Sequence, residues 1–343
     1  MGTMTRVLTF IVVVVLTVLV ASPRARAAPA QSNDVSTFLA RFGFSRIHLD
    51  RYYPNCLSLP VKINQKSGLL LIATACPISA VDRNSATKFG LVVHKTTKPV
   101  RGSLGTSNEH LGMSELKNLV VANGADLTGV RVAVLNLGNL NEKRSRPHVD
   151  GVFGYPEMRR LGAVLDCAHQ ALYINSAGTK THASVKLGQF LLARGFTRVP
   201  MELDSKGHFV VDCAINRRPV KMILDTAAVL TCINQRTAAN AGVPLRLTSL
   251  NAGAAGGLEA KVSEGRVKEF SVGNFKIPNA NVAVVNVSDD SLGIEHLLFS
   301  FAVIDVQGMN LYLRHQANTS PDYQSVPAPQ SATVPIIDPN IPR

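Results

Sequence analysis

The stretch MILDTAAVLTCINQRTAANAG, Met222 to Gly242, occurs twice in this chain. Its earlier copy is LLIATACPISAVDRNSATKFG, Leu70 to Gly90, at a constant offset of 152 residues. Each copy runs an apolar strand into a turn, Ala73-Thr74-Ala75 in one and Asp225-Thr226-Ala227 in the other. A repeat of this kind sets the architecture before any motif does, because each copy is one structural unit.

The match extends outward without a gap, residues 38–91 lying on 190–243 with eleven of 54 positions identical. Average composition gives about three or four by chance. A second block, GVFGYPEMRRLGAVLDCAHQALYI (151–174), lies on DSLGIEHLLFSFAVIDVQGMNLYL (290–313) at an offset of 139, and between the blocks VAVLN (132–136) lies on VAVVN (282–286). The first copy carries 11 more residues between Asn136 and Gly154 than the second between Asn286 and Gly293. The densest basic run, Lys143-Arg144-Ser145-Arg146, falls in that insertion, which reads as a surface loop.

Local patterns agree across the copies. LSLPVKI and FVVDCAI are strand-like, Asn64 and Asn216 mark turns, and LLLIAT and VKMILDT return as apolar strands. A short helix follows in each, with Asp82 or Asn234 as N-cap and Gly90 or Gly242 as stop. VKEFSVGNFKI and ANVAVVNV alternate as hairpin strands. The chain is therefore expected to be mainly β, in two similar lobes with a short helix in each. The boundaries are an N-terminal lobe at 28–178, a linker at 179–187, a C-terminal lobe at 188–316, and a Pro-rich tail at 317–343 expected to be disordered.

Residues 1–27 read as an export signal, with Arg6 as the basic flank, Val7 to Val20 as the apolar segment and Ala25-Arg26-Ala27 as the cleavage site. The apolar segment is shorter than the roughly 20 residues that span a bilayer, so cleavage is favoured over a retained N-terminal anchor. The expected location is secreted or periplasmic. The formal charge is +13; removing the three arginines of the leader leaves about +10, which suits an acidic partner or an anionic envelope surface. Dispersed basic residues and few aromatics argue against nucleic acid. Five cysteines without CxxC spacing argue against a disulfide framework, a single bridge being compatible with export. HExxH-type metal motifs are absent, and no metal or other cofactor is implied.

On ILDTAA and its companion LLIATAC, the chain resembles the retropepsin-like and pepsin-like aspartic peptidases. Their signature is an apolar strand, Asp-Thr/Ser-Gly-Ala/Ser, a short strand and helix, then an apolar-apolar-Gly segment before a closing strand. MILDTAAVLTCINQRTAANAG matches the first part and SLGIEHLLFSFAVIDVQGMNLYL the second. NAGAAGGLEAKV lies where that family has its flap hairpin, giving Gly253, Gly256 and Gly257 as flap candidates, with Gly102 and Gly105 in the first lobe. The resemblance implies two tandem retropepsin-type β-barrel lobes about a pseudo-twofold axis, from about Phe38 to Leu313.

It also implies a chemistry that needs two carboxylates about 3 Å apart, sharing a proton and holding the attacking water. Asp225 matches the catalytic acid of the second lobe, whereas Ala73 occupies the matching place in the first. Thr74 and Thr226, which in the family lock the two loops together, are both present. Ala75 and Ala227 replace the family's glycine, and a methyl there threatens the hydrogen bonds to the carboxylate. The flap regions lack an obvious tyrosine at the tip. Cys76 reads as a small buried hydrophobe, Asp166 and Asp305 as structural acids, and Asp150 as too far from Ala73 to replace the missing acid. Three functions follow: a pseudo-peptidase that binds a peptide or protein segment in the inter-lobe cleft; an active aspartic endopeptidase with a second acid from another chain or another residue; and an envelope interaction protein acting through its basic surface.

Overall fold

The computed structural model describes residues 34–315 apart from 53–54, 122–123, 142–146 and 176–179, together with Ala332 and Thr333. Residues 1–27, expected to be an export signal, the basic run 143–146 and most of the tail lie outside the described residues. Val35–Arg343 is a compact unit separate from Met1–Asp34 and holds both repeats.

Each repeat builds the same sheet. In the first lobe, eight strands run in the order Asp50–Tyr52, Cys56–Ile63, Lys66–Ala73, Gly151–Gly154, Ala80–Asp82, Ala125–Leu135, Gly105–Val121, His94–Gly102. The second lobe repeats it with Glu202–Leu203, Phe209–Ile215, Arg218–Leu224, Ser291–Leu292, Cys232–Asn234, Phe275–Val285, Leu258–Val272 and Leu245–Ala254. Cys56–Ile63 also pairs with Gly105–Val121, and Phe209–Ile215 with Leu258–Val272, which closes each sheet toward a barrel. Ala332–Thr333 adds in parallel to Ala252–Gly253, so two residues of the tail expected to be disordered form a strand.

The turns explain why the sequence folds this way twice. Asn64 and Gln65 have φ of 47° and 69°, and Asn216 and Arg217 have 47° and 68°. Positive φ at both central residues is the hairpin turn that matches strand twist, and Asn tolerates it. Each Asn side chain then makes three hydrogen bonds. Asn64 Nδ2 donates to Phe89 O and Asn216 Nδ2 to Ala241 O, while their Oδ1 atoms accept from Lys117 and Asn118 N–H and from Lys268 and Glu269 N–H. Each hairpin turn is thereby pinned to the end of its lobe's helical segment and to a flap strand. The helices begin as expected, with Asp82 accepting from Asn84 N–H and Asn234 from Arg236 N–H.

A third sheet takes strands from both halves, in the order Ser45–His48, Ala171–Ile174, Val164–Asp166, Val303–Asp305, Asn310–Leu313, Thr197–Pro200. Its central pair is antiparallel with Val164 opposite Asp305, Leu165 opposite Ile304 and Asp166 opposite Val303. At the offset of 139 Val164, Leu165 and Asp166 are equivalent to Val303, Ile304 and Asp305, so only Leu165 pairs with its own equivalent and the pseudo-twofold passes through the Leu165/Ile304 pair. The equivalent rings Phe38 and Phe190 also meet, stacked with centroids 4.2 Å apart. One apolar core runs through both lobes and this sheet, including Leu165, Ile304, Phe153 and Phe270. Where the sequence suggested a linker at 179–187, the helix Lys180–Leu192 runs instead, burying Ala183, Leu187 and Leu191. Apolar residues one and two turns apart give it a packed face that a linker lacks.

Candidate active site

The strands Lys66–Ala73 and Arg218–Leu224 deliver their two turns to the axis. There the threonines interlock. Thr74 Oγ1 donates to Leu224 O at 2.7 Å and accepts from Thr226 N–H at 3.1 Å. Thr226 Oγ1 donates to Ile72 O at 2.8 Å and accepts from Thr74 N–H at 3.1 Å. Both hydroxyls are buried and fully used, so the lobes are tied by four reciprocal bonds in an environment where losing one strands its partner.

Asp225 sits beside this knot with no exposed surface. Its Oδ1 accepts from Ala227 N–H at 2.9 Å, and Ala228 N–H also favours the ionised form. Ala227 is not among the residues with positive φ, so the methyl in place of glycine leaves this donor aimed at the carboxylate. Oδ2 has no hydrogen-bond partner among the described residues. Burial, opposed by those two backbone donors, pushes the carboxyl up to about 7. Opposite, where the pseudo-twofold would put a second acid, Ala73 presents a buried methyl in an apolar cluster with Ala227, Val229 and Cys76. Cys56, reaching over from the first lobe, donates its thiol to Ala227 O at 3.4 Å. Burial first, and the Asp225 charge second, push that thiol up to about 12, so it stays protonated.

The other residues singled out by sequence fall as follows. Asp150 is held by Leu69 N–H, Ser85 Oγ and Lys88 Nζ, away from the turn at Ala73. Asp166 accepts from His169 N–H, and Asp305 from Gly308 N–H and Ser184 Oγ, each holding the turn after a closing strand. All five cysteines are buried and free, so the one bridge that export would allow is not made. Gly154 and Gly293, in the apolar-apolar-Gly segments, lie hard against the turns: a Cβ would come within 2.7 Å of Cys76 O and within 2.4 Å of Leu230 C. Their N–H groups donate to Ser79 Oγ and Thr231 Oγ1. Those hydroxyls in turn bond Glu157 and His296, a pair of supports that the Ser79/Thr231 equivalence at offset 152 could have signalled.

Both flap regions form long hairpins, His94–Gly102 with Gly105–Val121 and Leu245–Ala254 with Leu258–Val272. Gly102 and Gly105 flank the first tip, Gly253 lies in the second hairpin's leading strand, and Gly256 and Gly257 turn its tip. The tips dock crosswise. Ser107 Oγ donates to Gly256 O at 3.0 Å, Gly256 N–H to Asn136 O at 3.3 Å, and Ser288 N–H to Ser103 O at 3.0 Å. Gly256 has φ +80°, and a Cβ there would stand 2.7 Å from Ser107 Cβ, so glycine is required for the contact. Val100, Leu111 and Ala255 pack into the cluster around Ala73 and Ala227, filling the space above the turns. A groove of about 1010 Å³ is walled by Pro77 and Ile78 just after the first turn, the helix Tyr155–Arg160 and the 205–207 turn of the second lobe.

Residues 211–298, the part of the second lobe that carries Asp225, match the family model described as gag-polyprotein putative aspartyl protease. Among solved structures, the chain is similar to a retropepsin-like aspartic protease from Rickettsia conorii, at 13% identity, covering 38% of this chain and 89% of that one, with a TM-score of 0.28. It is similar to EIAV protease in complex with the inhibitor HBY-793, at 16% identity, with 28% and 90% covered and a TM-score of 0.25. It is also similar to Basic 7S globulin from soybean, at 11% identity, with 80% and 95% covered and a TM-score of 0.42. No curated protein matches it in sequence.

Proposed function

We propose that this chain, a retropepsin-like aspartic peptidase relative with two fused lobes, is an exported pseudo-peptidase that holds a peptide or protein segment in the cleft between its lobes. The observation behind this reading is the half-dyad: the position equivalent to Asp225 in the interlocked first turn is Ala73, and Asp225 Oδ2 has no partner among the described residues. Cleavage by the paired-acid route needs one carboxylate to take a proton from water while a proton is delivered to the substrate carbonyl. One buried acid cannot hold both roles at once. The interlocked threonines keep the lobes in register, and the flaps supply strand edges to which an extended segment can add when they lift. Export rests on the leader-like segment 1–27.

A second acid supplied by another chain is disfavoured by the burial of Asp225. Bringing two copies of it within about 3 Å would require opening the threonine knot. The test is ligand protection of the full chain. A peptide at 100 times its Kd adds about 2.7 kcal/mol to folding stability, which raises Tm by several degrees. Peptides that raise Tm while remaining intact support the reading; no shift with any peptide in a mixed pool overturns it.

A further inference from the structure

We infer that the open groove beside the first turn is a binding site for an acidic polypeptide segment, an inference that rests on the cleft-binding reading and adds its ligand class. Five cations line the groove: Lys98 on the first flap, Arg131 on the strand beneath it, Arg159 and Arg160 on the helix Tyr155–Arg160, and Lys206 from the second lobe. Glu157 is the one acid on the wall. It is buried and bonded to Ser79 Oγ, burial raising its carboxyl above the ordinary range, and one acid against five cations leaves the wall net positive.

Lys98, Arg160 and Lys206 each have a partner within the protein. Lys206 pairs with Asp289 at 2.9 Å, and Arg160 reaches Thr128 O at 3.4 Å. Arg131 stands opposite Glu115 in the strand ladder without closing an ion pair, and Arg159 makes no ion pair among the described residues. Like charges gathered on concave walls focus a positive potential, which draws in anionic ligands.

The shape narrows the class. At about 1010 Å³ the groove is at the upper end of the range for small-molecule sites, large enough for several residues of a chain. A planar lipid surface cannot enter a concavity walled by both lobes. Single-stranded nucleic acid wants stacking platforms, and Tyr155, packed on Phe209 with centroids 4.9 Å apart, is the one aromatic on the wall. Pro77 and Ile78 on its wall directly follow Ala73-Thr74-Ala75-Cys76, so the groove adjoins the first turn.

The test uses the full chain and fluorescence anisotropy with a labelled Glu-rich peptide and its Gln counterpart. The Glu peptide should bind at least about tenfold tighter, with affinity falling as salt rises from about 50 to about 300 mM. Arg131→Glu with Arg159→Glu should abolish that preference. Lys62→Glu with Lys276→Glu, an equal charge change at exposed sites outside the groove, should leave it intact. Equal loss in both pairs, or displacement of the peptide by phosphatidylglycerol vesicles or by a single-stranded oligonucleotide more readily than by unlabelled Glu peptide, would overturn the inference. If the Gln peptide binds as tightly as the Glu peptide, the acidic class fails while cleft binding stands; if neither binds, the acidic class fails, and the Tm shift with the mixed peptide pool decides cleft binding separately.

Discussion

Asp225 is an acid whose environment favours its neutral form. Its carboxyl lies at about 7 against an ordinary 3.8, because burial outweighs the two backbone donors. Between those values the folded state keeps a proton that the unfolded chain has released. The penalty is therefore absent below about pH 4 and grows as pH rises, so stability falls between about pH 4 and pH 7. Three pH units correspond to at most about 4 kcal/mol. Asp225→Asn has no such titration. Urea unfolding of both proteins from about pH 4 to pH 8 should show the wild type losing stability relative to the variant as pH rises; parallel profiles would mean that Asp225 ionises freely. The sequence already carried this residue and its missing partner, since Asp225 and Ala73 are equivalent at an offset of 152. It could not carry the burial, which depends on bringing together around the turns residues that are far apart in the chain.

Among the elements, the duplicated hairpins are the best-specified. Asn216 combines a φ of 47° with three side-chain bonds, to Ala241 O, Lys268 N–H and Glu269 N–H. Asn216→Ala should cost about 2–4 kcal/mol, by losing those bonds and forcing alanine into a left-handed conformation. Asn216→Gly keeps the turn and should cost less. A lower urea midpoint with unchanged m for both, in that order, is the expected result; no difference between them would mean that the backbone conformation adds nothing. These turns were legible because Asn followed by a polar residue between apolar runs has a local cause. So were the caps Asp82 and Asn234, whose side chains act two residues away. The helix Lys180–Leu192 was not legible, because its polar opening resembles a linker and its apolar face is defined only by what it packs against. Nor was the basic groove, whose five cations come from four separate segments rather than from one contiguous basic run.

At the scale of the whole molecule, the six-stranded sheet makes the two lobes one body. Strands of three or four residues carry too little pattern to name a partner some 139 residues away, so the sequence showed two lobes but not the sheet they form together. The symmetry of that sheet has a consequence for the isolated second lobe. Residues 180–315 alone would expose Val303–Asp305, an edge equivalent to the strand it normally pairs with. Such an edge is self-complementary, so the fragment should sediment as a dimer at tens of micromolar, with Ile304 facing Ile304 and two Asp225 side chains at the axis. A folded monomer would contradict the pseudo-twofold as the organising contact. In the intact chain the two interlocked turns carry a single acid, Asp225. The most direct measurement is cleavage of a mixed peptide pool by the full protein from about pH 3 to pH 7, beside Asp225→Asn. A half-dyad predicts products no different from those of the variant at every pH; cleavage by the wild type that Asp225→Asn abolishes would contradict it.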